Sequence, residues 1–145
     1  MKNKEEEIIF NAKEFPFFKL DYSKFKEIPN EGIVPASILD AKTGLYLMTG
    51  YMTEEAYRKT LNLGEVVFWS RSTKKLWYKG ETSGNKLIVK EIKKGCEDDT
   101  LAISVDPAGP VCHRNTWTCF DDISLKNISR EQRFTKKEKC PYCEK

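Results

Sequence analysis

From Ile33 to Val105 the chain is divided into short apolar runs that end at turn residues, a punctuation that fits a small, mostly β domain. The sharpest run is the last. Leu101, Ile103 and Val105 alternate with Thr100, Ala102 and Ser104, the period of a half-buried antiparallel strand. Ile33 to Leu39 and Leu45 to Met48, separated by the turn residues of Asp40 to Gly44, read as a hairpin, and further strands are expected at 66–70, 76–78 and 87–94. Thr53 precedes Glu54 and Glu55 and Gly64 closes the segment, so a helix is expected over Glu54 to Asn62, with an N-cap, acids facing the helix dipole and a glycine stop.

The 145 residues suit one domain with appendages: an N-terminal extension over 1–32 that packs on the domain, a core domain over 33–121, and a basic tail over 122–145 carrying Cys140 and Cys143. A net charge of +3 is too small to mark a duplex-DNA binder, and nothing else in the chain resembles an RNA or DNA module. No apolar run approaches the roughly 18 residues of a membrane span. The start, Met1 to Glu7, lacks the layout of a signal peptide. These features predict a cytoplasmic protein without membrane partners, whose five cysteines are reduced and therefore ligands, reactive thiols or buried spectators.

Residues 96–119 concentrate the chemistry. Cys96, Cys112 and Cys119 are spaced C-x15-C-x6-C, which is not the paired spacing of a structural zinc ribbon. Three thiolates match the ligand count of a catalytic zinc, while buried free cysteines remain the alternative. Glu97, Asp98 and Asp99 offer hard oxygens suited to magnesium, or form an acidic turn. If 95–99 is extended, Glu97 and Asp99 lie on one side and Cys96 and Asp98 on the other. His113 directly follows Cys112 and is the candidate for proton transfer, because imidazoles exchange protons near neutral pH. Trp69, Ser70, Arg71 and Ser72, followed by the loop of Lys79, Gly80, Glu81, Thr82, Ser83, Gly84 and Asn85, are dense in donors for a phosphate, or form ordinary turns on a solvated face.

Leu47-Met48-x-x-Tyr51-Met52-x-x-Glu55-Ala56, Gly64-Glu65-x-x-Phe68-Trp69-Ser70-Arg71-Ser72, Leu76-Trp77-x-Lys79-Gly80-Glu81-Thr82-Ser83-Gly84-Asn85, Pro107-Ala108-Gly109-Pro110-x-Cys112-His113 and Cys119-Phe120 occur in that order. Together they closely resemble the phosphoribosyl-AMP cyclohydrolases of histidine biosynthesis. The resemblance implies an intertwined homodimer whose zinc is held by Cys96, Cys112 and Cys119 from both chains, and magnesium on Glu97, Asp99 and, if the turn bends, Asp98. It also implies hydrolytic opening of the adenine ring of phosphoribosyl-AMP between N1 and C6, with Arg71 and the Gly80 to Asn85 loop holding the substrate. The pyrophosphohydrolase domain fused in some relatives is expected to be absent from the short tail.

Two departures stand out. Where the family reads Asp-Cys-Asp-x-Asp, this chain reads Gly95-Cys96-Glu97-Asp98-Asp99, which should weaken magnesium; and the Thr-Gly expected after His113 is Arg114-Asn115. Asparagine tolerates the left-handed turn that glycine would supply, whereas Arg114 could reach a phosphate or face solvent. The lost acid also leaves open a diverged member with a changed substrate or weak activity. The basic tail and its cysteine pair motivate a third reading, a zinc-stabilised nucleic-acid module.

Overall fold

A computed structural model describes residues 18–28 and 31–120. Most of the expected N-terminal extension, Asp121 and the basic tail with Cys140 and Cys143 lie outside the described residues. The fold is mostly β with one helix among the described residues. In chain order the elements are β1 (Lys26–Ile28), β2 (Glu31–Gly32), β3 (Val34–Asp40), β4 (Tyr46–Met52), α1 (Glu54–Leu63), β5 (Val67–Ser70), β6 (Lys75–Tyr78), β7 (Leu87–Lys94) and β8 (Leu101–Pro107).

The central sheet has the order β4-β3-β8-β7. β3 pairs antiparallel with β4, as the hairpin pattern predicts, and β7 with β8. The two central strands, β3 and β8, run parallel from Ala36 opposite Leu101 to Asp40 opposite Val105, so the sheet is mixed. Alternation tells which face of a strand is buried but is the same for either direction, so the sequence pattern is silent on this pairing. One face carries the core: Val34, Ala36 and Ile38 of β3 and Leu101, Ile103 and Val105 of β8 are buried. β4 continues four residues past Met48. Gly50 lies in the strand against the Phe68 ring.

Helix α1 starts as its sequence dictates. Thr53 Oγ1 accepts from the Ala56 N–H at 3.2 Å, and Gly64, at φ 72°, ends the helix by donating to the Thr60 carbonyl. Its buried face consists of Ala56, Tyr57, Thr60 and Leu61. The Thr60 hydroxyl joins helix to hairpin, donating to Ala56 O at 2.9 Å and accepting from the Val67 N–H at 2.9 Å. A buried polar side chain is thus fully used.

The segment before β1 lies on this body: Phe18, Leu20 and Tyr22 pack against the core, and the Phe18 N–H donates to the Tyr57 hydroxyl at 3.2 Å. No helix among the described residues is long and apolar enough to cross a membrane.

Candidate active site and metal-ligating thiols

The loop after β6 turns at Gly80, whose φ of 89° suits glycine and whose missing Cβ would lie 2.6 Å from the backbone of Asn85 and Lys86. Only a bare backbone fits there. The loop closes on itself: Glu81 N–H donates to Tyr78 O at 2.9 Å, Gly84 N–H to Gly80 O at 2.8 Å, and Asn85 N–H to Ser83 Oγ at 3.1 Å. Three of its amides are therefore committed internally. Side chains of Lys79, Thr82 and Ser83 remain as lining groups of a cavity of about 310 Å³ between this loop and residues 110–115.

Cys112 and His113 form the opposite wall. A tight turn presents them: Asn115 N–H donates to Cys112 O at 2.8 Å and Cys112 N–H to Thr116 O at 3.0 Å. Asn115 adopts φ 65°, so it fills the left-handed position as expected of asparagine. His113 is exposed, with Nδ1 3.9 Å from Cys112 Sγ. Cys119 is anchored by its N–H to Leu47 O at 2.8 Å, and its thiol lies within hydrogen-bonding reach of Cys112.

Arg114 is exposed, and its guanidinium turns back onto the two thiol-bearing residues. Its Nε donates to Cys112 Sγ at 3.3 Å and its Nη2 to Cys119 O at 3.0 Å. The Arg114 backbone N–H and then its guanidinium hold the Cys112 thiol down to about 6, while burial, followed by the neighbouring Cys112, pushes the Cys119 thiol up. Lys79, whose Nζ donates to Val111 O at 2.5 Å, also faces the two sulfurs; burial lowers its ammonium pKa and the thiols oppose that shift. The pair is set to hold one negative charge among cationic groups.

Cys96 stands apart. It is exposed on the β7–β8 connection, and among the described residues no three of His, Cys, Asp or Glu converge as a metal cage. The connection is a turn, with Asp98 at φ 60°, Asp98 N–H donating to Gly95 O at 3.1 Å and Gly95 N–H to Thr100 O at 2.9 Å. Glu97 and Asp99 nevertheless converge, each placing an oxygen 3.1 Å from Lys24 Nζ, whereas Asp98 pairs with Lys94 at 2.6 Å. Cys112 and Cys119 fit two ligand positions for zinc, a soft pair needing thiolate partners from elsewhere. The acidic turn does not fit magnesium: it has no carboxylate at 95, and its three acids already bind ammonium groups.

Trp69, Ser70, Arg71 and Ser72 line a second cavity of about 610 Å³, separated from the first by Trp77, which borders both. Arg71 stacks over the Tyr51 ring, 4.0 Å from its centroid. Lys74 is ion-paired with Glu27 on the rim, where the Trp69 indole also helps to hold the Glu27 carboxyl below its ordinary value. Sequence reasoning treated the two donor-rich stretches as one anion site, and it missed Lys24, whose partners lie more than 70 positions away.

The sequence model of the family described as phosphoribosyl-AMP cyclohydrolase matches residues 48–121, half of the chain. This chain belongs to the phosphoribosyl-AMP cyclohydrolase family. It is 50% identical over 103 residues to the phosphoribosyl-AMP cyclohydrolase of Pelotomaculum thermopropionicum, covering 71% of this chain and 78% of that protein. It is 48% identical over 89 residues to the Streptococcus mutans protein of the same name, covering 61% of this chain and 82% of that one. Against the histidine biosynthesis bifunctional protein of Photobacterium profundum the identity is 53% over 92 residues, covering 63% of this chain and 44% of the relative. The chain thus spans under half the length of that bifunctional relative.

Proposed function

We propose that this protein is a zinc-dependent cyclohydrolase that opens the adenine ring of phosphoribosyl-AMP by hydrolysis of the N1–C6 bond, a step of histidine biosynthesis carried out in the cytoplasm. The observation that carries the reading is the shared cavity wall of Cys112 and His113 facing Lys79, Thr82 and Ser83: a soft ligand pair, a proton carrier and an anion-binding loop around one space.

Cys112 and Cys119, with Cys96 of a second copy, would hold zinc, which would supply Lewis-acid activation of the attacking water. A homodimer is supported by the placement of Cys96, exposed and apart from the other two thiols. Large apolar groups near Cys119 are also exposed, among them Trp117 and the edge-to-face pair of Tyr46 and Phe120. His113 delivers the proton that N1 takes as the N1–C6 bond breaks. Lys79 and the Thr82 and Ser83 hydroxyls bind one phosphate, and Arg71 in the neighbouring cavity binds the other, which suits a substrate phosphorylated at both ends. Turnover tests the reading. Zinc-loaded protein should change the ultraviolet absorbance of phosphoribosyl-AMP as the purine opens; an unchanged spectrum from folded, zinc-containing protein would favour a diverged member with another substrate.

A further inference from the structure

The acidic turn has a cation of its own. Lys24 Nζ lies 3.1 Å from Glu97 Oε1 and 3.1 Å from Asp99 Oδ2, bridging the carboxylates that the family resemblance assigns to magnesium. Lys24 lies outside the matched region 48–121, in a segment built to deliver it. Asp21 Oδ1 accepts from both the N–H (2.8 Å) and the hydroxyl (2.5 Å) of Ser23, forming an Asx-type turn directly before Lys24. The Asp21 N–H donates to Asp98 O at 2.6 Å, tying this turn to the acidic one. On the other side, Ile33 N–H donates to Phe25 O at 2.7 Å. The ammonium is thus positioned by backbone contacts on both flanks.

Position 95 completes the picture. A Cβ on Gly95 would run into the Thr100 hydroxyl, so a third carboxylate is both missing and sterically opposed unless Thr100 turns away. Asp98, the remaining acid, points to Lys94 at 2.6 Å. Magnesium demands near-octahedral oxygen coordination and is reluctant to shed water; two carboxylates that share one ammonium, which cancels half of their charge, offer too few ligands and too little charge. The family's second metal and Lys24 compete for the same two carboxylates.

We infer that in this chain the Lys24 ammonium takes the place of the divalent cation at the acidic turn, so that the protein works with zinc as its only metal. This goes beyond the proposed reaction and is tested without it. Mn2+, as a spectroscopic stand-in for Mg2+, is titrated into the zinc-loaded full-length protein and free Mn2+ is followed by electron paramagnetic resonance. The wild type should show no saturable Mn2+ site. Lys24→Ala, which frees both carboxylates, should gain a site at least about tenfold tighter than any in the wild type, since a unit charge a few ångströms away has been removed. Adding Glu97→Gln to that variant should abolish the gain. Saturable Mn2+ binding by the wild type as tight as in Lys24→Ala, or no gain on removing the lysine, would overturn the inference. Should Lys24→Ala fail to fold, the wild-type titration decides alone against it if a tight site is found, and Lys24→Gln, which keeps the stem length, supplies the gain-of-binding arm.

Discussion

Arg114 Nε stands 3.3 Å from the Cys112 sulfur, and its Nη2 donates to the Cys119 carbonyl 3.0 Å away, so one guanidinium braces both thiol-bearing residues of the site. In the metal-free protein this fixes which sulfur ionises first. Cys112 is held down to about 6, led by the Arg114 backbone N–H, and Cys119 is pushed up. Thiolate absorbance should therefore rise in a step near pH 6 with a second well above it, and Arg114→Ala should move the first step upward. Because the Cys112 value is depressed on folding, its contribution to stability is present above the ordinary thiol value and is lost as pH falls through about 6. Coincident steps for both thiols in the wild type would contradict the assignment.

His113 lines the cavity, and the Cys112 sulfur has a nearer partner in Arg114 Nε at 3.3 Å than in the imidazole at 3.9 Å. His113→Ala should keep its full zinc content by metal analysis and lose about 10²–10⁴-fold in kcat, the usual worth of a positioned acid or base. Full turnover in this variant would remove the imidazole from the mechanism.

The separation of Cys96 from Cys112 and Cys119 predicts complementation between copies. Cys96→Ala and Cys112→Ala should each lose zinc and activity alone. A mixed dimer of the two carries one intact site and should regain about half of the wild-type zinc, as the symmetry of a shared site requires. No recovery in a verified mixed dimer would place all ligands within one chain.

Thr60 offers a test of the scaffold. Its buried hydroxyl accepts from the Val67 N–H and donates to Ala56 O. Thr60→Val keeps the shape and strands the Val67 amide, so denaturant unfolding should show a loss of about 1–3 kcal/mol. An unchanged midpoint would mean that water replaces the hydroxyl.

Much of this was legible in the sequence because it is local. The Thr53 cap, the Gly64 stop and the Leu101–Val105 alternation are set by neighbouring residues, and the structure keeps them. Asn115 likewise takes the left-handed turn that its side chain tolerates. What escaped is non-local. The parallel pairing of β3 with β8 leaves no mark on side-chain period, and Lys24 reaches acids more than 70 positions away. Trp77 divides Arg71 from the Gly80 loop although the three are near in sequence, because the β5–β6 hairpin presents its two ends to different cavities. The contact of Arg114 with Cys112 was not legible because a sulfur two residues back is not an obvious acceptor.

The most direct test of the central claim is the fate of water oxygen. Phosphoribosyl-AMP is incubated with zinc-loaded protein in heavy-oxygen water, without added magnesium, and the product is fragmented in a mass spectrometer. Hydrolysis at C6 places one heavy oxygen in a new carboxamide on the imidazole and none in the ribose or phosphate groups. Unlabelled starting material alone, or label confined to phosphate, would contradict it.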